Sequence, residues 1–321
     1  MKAMLLTQPL LPAQASLVFP QSAEAVLLAH TAVISNNKGG VSKTQLTVQL
    51  AAALARADKR VLVVDLDPQA NASRRLGIEW DPDAPIATTS EVIKADQIGA
   101  GEGAVIACGW VEADGSPTPE AENIDLIPSR YDLLNRESEA AGVGAVRRVK
   151  KALQGWSEEY DVILIDTPPS LGPLVQMAMA AANVVLIPTA PNYDAVEGAI
   201  RVSDFVELHA DDITNPGLTV GGVIVTRHNA QENEARFQLE GIRAKFGDLV
   251  WNLAGPVTLP DGREVVNPPY LKETVRTNEA DSAAVSLTAW RDARGRATVA
   301  MYDAVARIYI ERFIDAKVGA A

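Results

Sequence analysis

Thr31-Ala32-Val33-Ile34-Ser35-Asn36-Asn37-Lys38-Gly39-Gly40-Val41-Ser42-Lys43-Thr44 passes from a short apolar stretch, through a glycine loop, into the Ala- and Leu-rich stretch 44–58. Leu46, Leu50 and Leu54 fall on one face of that stretch, which predicts a helix. A loop between a strand and a helix N-terminus presents backbone N–H groups to phosphates. Lys43 is placed to reach β and γ phosphates, and the Thr44 hydroxyl to bind magnesium. The strict pattern G-x-x-x-x-G-K-[ST] is not met, because Asn37 stands at its first glycine and Ser42 at its second. Serine suits that second position if φ is negative; a positive φ should weaken nucleotide affinity.

Outward from this loop, short apolar runs alternate with helical stretches. Residues 31–35, 61–66, 124–127, 162–166, 184–188 and 220–226 read as strands buried on both faces. Residues 44–58, 147–156, 197–209 and 298–314 read as helices. The alternation predicts an α/β fold, with a mostly parallel twisted sheet flanked by helices on both faces. A ligand is expected beyond the carboxyl ends of the strands. Two stretches break the rhythm, 81–122 and 252–269, both rich in Pro and Gly. The expected organisation is an N-terminal arm, 1–29, and a single domain, 30–321, carrying an acidic excursion at about 79–125.

The chain has 321 residues, of which 47% are hydrophobic and 22% charged, and a mean hydropathy of +0.03. That length can bury a sizeable core, and that composition excludes global disorder. No run approaches the roughly 20 apolar residues of a membrane span. Met1-Lys2, the apolar stretch after it and Ala13-Gln14-Ala15 superficially resemble an export signal, but Gln8, Pro9 and Pro12 interrupt it. The lone Cys108 excludes an internal disulfide and the usual zinc and iron–sulfur cages. A cytoplasmic protein is expected. Net charge is −12. Residues 79–125 hold eleven acids against one base, Lys94, and so −10 of that total. The low pI belongs mostly to one segment and leaves room for an anion site elsewhere.

Lys38-Gly39-Gly40-x-x-Lys43-Thr44 resembles the deviant Walker A motif of the ParA/MinD family. These are dimeric ATPases that segregate plasmids and chromosomes or position cellular cargo. Residues 63–73 resemble the family's second motif, with Ala70 in place of its usual glycine. Residues 162–169 resemble its Walker B strand, and 187–193 followed by Glu197-Gly198 its next loop. Residues 223–229 resemble the strand end near adenine, and 275–282 a late family stretch. The ordered likeness covers about residues 31–315 and is nearest to the short, Soj-like partition ATPases.

The resemblance implies ATP and Mg2+ as ligands. It places Lys38, Gly39, Gly40, Val41, Ser42, Lys43, Thr44, Gln45, Thr226 and Arg227 at the nucleotide. Thr44, Asp65 and Asp166 would serve magnesium, Asp67 would orient the attacking water, and Lys38 would cross to a partner's phosphates. It also implies an ATP-dependent homodimer that binds nonspecific DNA on the nucleoid, and a centromere-binding ParB-like partner. Arg276, or the run Arg147, Arg148, Lys150 and Lys151, would meet DNA phosphates.

Plainer readings stand beside these. Asp65, Asp67 and Asp166 could cap strand-end turns. Arg276 could be a surface arginine, and Arg147–Lys151 a solvated helix face. His30, His209 and His228 form no spaced metal cluster. A MinD-like membrane role needs a basic amphipathic C-terminal helix. Residues 298–321 balance Arg307, Arg312 and Lys317 against Asp303, Glu311 and Asp315, so stable membrane association is not expected. An ATPase positioning pili, receptors or microcompartments would share the same site. Too little chain precedes Lys38 for a helix-turn-helix domain, so operator-specific repression is not expected.

Overall fold

All six apolar runs fold as strands. The computed structural model describes residues 29–139, 142, 144–229, 233–258 and 262–318. The arm expected at 1–29 lies, apart from Ala29, outside them. The main sheet contains β1 (His30–Ile34), β2 (Val61–Asp65), β3 (Ile106–Ala107), β4 (Ile124–Ile127), β5 (Val162–Asp166), β6 (Val184–Thr189) and β7 (Thr219–Val225). Their order is β3-β4-β2-β5-β1-β6-β7. Every pairing is parallel except β3 with β4.

Alternate residues of each strand face opposite layers, as the pleat requires. Val61 and Val63 of β2 pack with Leu46, Leu50 and Leu54 of α1 (Lys43–Arg56). Leu62 and Val64 face the other layer, with Leu174 and Met177 of the helix Pro173–Ala181. All of these are buried, and each contributes about 1.5–3 kcal/mol on leaving water.

The remaining α-helices are α2 (Asn71–Arg75), α3 (Thr89–Ala95), α4 (Leu134–Ser138), α5 (Arg148–Leu153), α6 (Pro173–Ala181), α7 (Tyr193–His209), α8 (Asn233–Phe246), α9 (Val275–Ala283), α10 (Ala293–Tyr309) and the short α11 (Asp315–Val318). Four differences from the sequence expectations stand out, the first three with local causes. The 147–156 helix is cut to α5, because Gln154 turns extended and Gly155 takes φ +91°. The helix expected from 197 starts at Tyr193, where the Asn192 side chain accepts from the Ala195 N–H. The last long helix starts at Ala293, capped by Asp292, and loosens into a π-helical turn over Ile310–Ile314. The stretch 252–269 holds an antiparallel pair, β8 (Gly255–Thr258) and β9 (Glu264–Asn267).

The acidic stretch is folded onto the sheet's edge. Thr88 and Glu91 form a capping box that starts α3. Gly77 and Gly109 approach so closely that a Cβ on Gly109 would lie 2.3 Å from the Gly77 carbonyl oxygen. Trp110 is buried and its indole N–H donates to the Arg75 carbonyl. Glu120, also buried, accepts from Ser286 and Thr288 and pairs with Arg56. Its acids therefore do structural service as well as carrying charge. Among the described residues, no helix is long and apolar enough to cross a membrane.

Candidate nucleotide site

β5 lies between β1 and β2, so the carboxyl ends of three neighbouring strands deliver the glycine loop, Asp166 and Asp65 to one place. Asp65 and Asp166 are register partners. The loop leaving β1 turns back over the end of its own helix. Gly40 has φ +76° and Ser42 φ +64°. No atom lies within 4 Å of where a Cβ on Gly39 or Gly40 would stand, so this edge of the loop is an open cradle. Ser42 caps α1 without a side-chain hydrogen bond, and no acid sits in the helix's first turn. The first N–H groups of α1 are thus left to an anion.

Lys43 points inward. Its Nζ donates to the carbonyls of Lys38 (3.0 Å) and Asn36 (3.2 Å). Burial lowers its pKa, against the opposing charges of Asp166 and Asp67. Thr44 Oγ1 donates to Asp166 Oδ2 at 2.7 Å, and Thr47 Oγ1 to Asp166 Oδ1 at 2.9 Å. Burial, first of all, pushes Asp166 up to about 6 and Asp65 up to about 7. The nearby charge of Lys43 does not offset the burial of these two carboxylates on adjacent strands. A hard cation met by a carboxylate and a hydroxyl would add positive charge there, so Thr44 and Asp166 fit magnesium.

Asp65 is placed differently from its two companions. Oδ1 accepts from the Asp67 N–H, and Oδ2 from both the N–H and the hydroxyl of Ser73. Both oxygens hold the turn that carries Asp67, so the geometry gives Asp65 a positioning role. Asp67 is nearly buried and accepts from the Gln69 N–H. It shares a cleft of about 390 Å3 with Gly39, Ser42, Lys43, Thr44 and Gln45. A second cleft of about 900 Å3 adjoins it past β6 and β7, lined by Ala190, Asn192, His228 and Asn278 among others. Arg227 lies on both, donating to the Gly40 carbonyl and pairing with Glu273. Thr226 donates to the Val41 carbonyl.

Lys38 points the other way, with a side chain 45% exposed. Gln45 donates to Asp281, which also pairs with Arg75. Arg75, Glu273, Asn278 and Asp281 line these clefts and escaped the sequence reading. Asn278 and Asp281 sit inside the motif-like stretch 275–282, whereas nothing in the sequence marks Arg75. The expected DNA contacts are unequal. Arg276 is held by both Glu279 and Asp292. Arg148 and Lys151 both pair with Asp96, while Arg147 and Lys150 are exposed.

A mostly parallel sheet with a glycine loop at the end of an inner strand, a lysine turned into that loop and a Thr–Asp pair beside it defines a P-loop ATPase. Residues 29–220 match the AAA domain family. Over 224 residues the chain is 35% identical to the chromosome partitioning protein ParA of Myxococcus xanthus, covering 70% of this chain and 74% of that protein. It is also 35% identical over 232 residues to the sporulation initiation inhibitor protein Soj of Bacillus subtilis, covering 70% and 82%. The structure of Cyanothece apo McdA superposes with a TM-score of 0.66 at 25% identity, over 86% of this chain and 99% of that one. The chain belongs to the ParA/Soj family of partition ATPases.

Proposed function

We propose that this ATPase dimerises on ATP, binds nucleoid DNA without sequence preference, and leaves it when a centromere-binding, ParB-like protein stimulates hydrolysis. The observation that carries this reading is the opposite aim of the two loop lysines. Lys43 is turned into its own cradle and Lys38 outward from it. An inward lysine suffices to bind a nucleotide; an outward one beside the same loop suits a second molecule's phosphates.

Lys43 and the first N–H groups of α1 neutralise and orient the triphosphate. Thr44 and Asp166 would hold a divalent ion, which when bound would supply further phosphate neutralisation. Asp67 accepts a hydrogen bond from the attacking water, and Asp65 keeps Asp67 in place through the turn. Phosphoryl transfer asks for this positioning more than for covalent catalysis. DNA contacts fall to exposed cations. Arg147 and Lys150 have more to offer a phosphate than Arg276, whose charge two carboxylates already meet.

The test is binding of random-sequence DNA with ATP, with ADP and without nucleotide, at two salt concentrations. ATP should raise affinity and salt should lower it steeply. An ATP-loaded chain that ignores DNA at low salt would overturn the DNA reading in favour of another cargo.

A further inference from the structure

The outward Lys38 is not idle. Its Nζ donates to Asp194 Oδ2 at 2.9 Å, in the first turn of α7. We propose that Asp194 is an intramolecular latch, holding the Lys38 ammonium on its own subunit until a second copy of this chain competes for it. The latch rests on the dimer reading above and adds a threshold to it.

The placement of Asp194 is built into the fold. Asn36 Nδ2 donates to the carbonyls of Pro188 and Ala195, tying the loop to β6 and to the first turn of α7. One turn on, a Cβ at Gly198 would lie 2.3 Å from Asn36 Oδ1 and 3.1 Å from Lys38 Cβ. Glycine at 198 is what lets α7 come this close. The carboxylate therefore stands at a fixed point beside Lys38. Its pKa is lowered, chiefly by the Lys38 hydrogen bond.

Two features make the contact releasable. Lys43 donates to the Lys38 carbonyl, so the main chain at Lys38 is pinned by the group that a phosphate would take. Phosphate is a stronger acceptor for an ammonium than a carbonyl is, so nucleotide binding loosens the loop. The Lys38 and Asp194 side chains are 45% and 65% exposed, so the pair is weak and screened. Exposed pairs of this kind shift an equilibrium by roughly 2- to 5-fold. A two-fold symmetric dimer must open two of them, so the dimer constant moves by roughly 4- to 25-fold.

Asp194→Asn tests the latch, because it keeps the shape and removes the charge at an exposed position. Two readouts are taken. Sedimentation equilibrium with a non-hydrolysable ATP analogue gives the dimer constant. Reductive methylation of the nucleotide-free monomer, followed by mass spectrometry, gives the reactivity of Lys38 itself. The latch predicts a tighter dimer, by roughly 4- to 25-fold, and faster labelling of Lys38. Faster labelling with a weaker dimer would make Asp194 a residue that aims Lys38, and overturns the latch. Unchanged labelling overturns it directly. A wild-type chain that dimerises while the variant dimerises identically overturns the latch alone. A wild-type chain that stays monomeric with the analogue overturns the dimer reading and the latch together.

Discussion

Ser42 and Ala70 stand where the resembled motifs carry glycine, and both adopt left-handed backbone, φ +64° and +53°. An L-residue there costs about 1–2 kcal/mol, partly offset by glycine's greater freedom in the unfolded chain. Ser42→Gly should therefore stabilise the protein by up to about 1 kcal/mol in urea unfolding without weakening ATP binding. A loss of stability would show that the serine makes a contact of its own. Lys43→Ala should abolish ATP binding in calorimetric titration, since no other cation is turned into the cradle from the loop. Asp67→Ala should bind ATP and yet lose turnover by roughly 100-fold or more, as expected on removing a positioned catalytic group. Lys38→Ala should bind nucleotide but remain monomeric in size-exclusion chromatography. Wild-type phosphate release from Asp67→Ala would show that another group orients the water.

At the scale of elements, two glycines with opposite surroundings test how packing decides. Gly222 lies in β7, and a Cβ there would sit 1.9 Å from Trp251 Nε1, whose indole N–H reaches the Gly221 carbonyl. Gly222→Ala should cost upwards of about 2 kcal/mol, because a buried indole and a strand cannot both yield. Gly241 is on the exposed side of α8, with nothing within 4 Å of its Cβ position. Gly241→Ala should stabilise by about 0.5–1 kcal/mol through helix propensity alone. Thermal and urea unfolding of the two variants should differ in sign. Six strands were legible as elements because each is a short apolar run between turn residues, whereas the two residues of β3 are too few to make a pattern. The β8–β9 pair was not, because Gly255, Pro256, Pro260 and Gly262 dominate its local signal. Its support is distant: the Asn267 side chain donates to the Ala300 carbonyl.

For the whole molecule, Cys108 reports the integrity of the acidic segment against the sheet. Burial pushes its thiol up to about 12, and it is 7% exposed. The native protein should resist iodoacetamide at mildly alkaline pH and react fully when unfolded. Rapid native alkylation would mean that residues 79–125 open independently of the sheet. The sequence by itself determined the strand–helix alternation, the phosphate loop, the choice of Lys43 and Thr44, and the carboxylate ending each of two strands. Those signals lie within a few residues of one another, where periodicity and backbone preference act. Tertiary structure alone decided that β5 separates β1 from β2, and so that Thr44 and Thr47 meet Asp166 across 122 and 119 residues. It also decided that Asp65 holds a turn, that Arg276 is held by two acids, and that Lys38 rests on Asp194. Strand order and side-chain partners follow from which distant surfaces bury each other, and no local pattern encodes that.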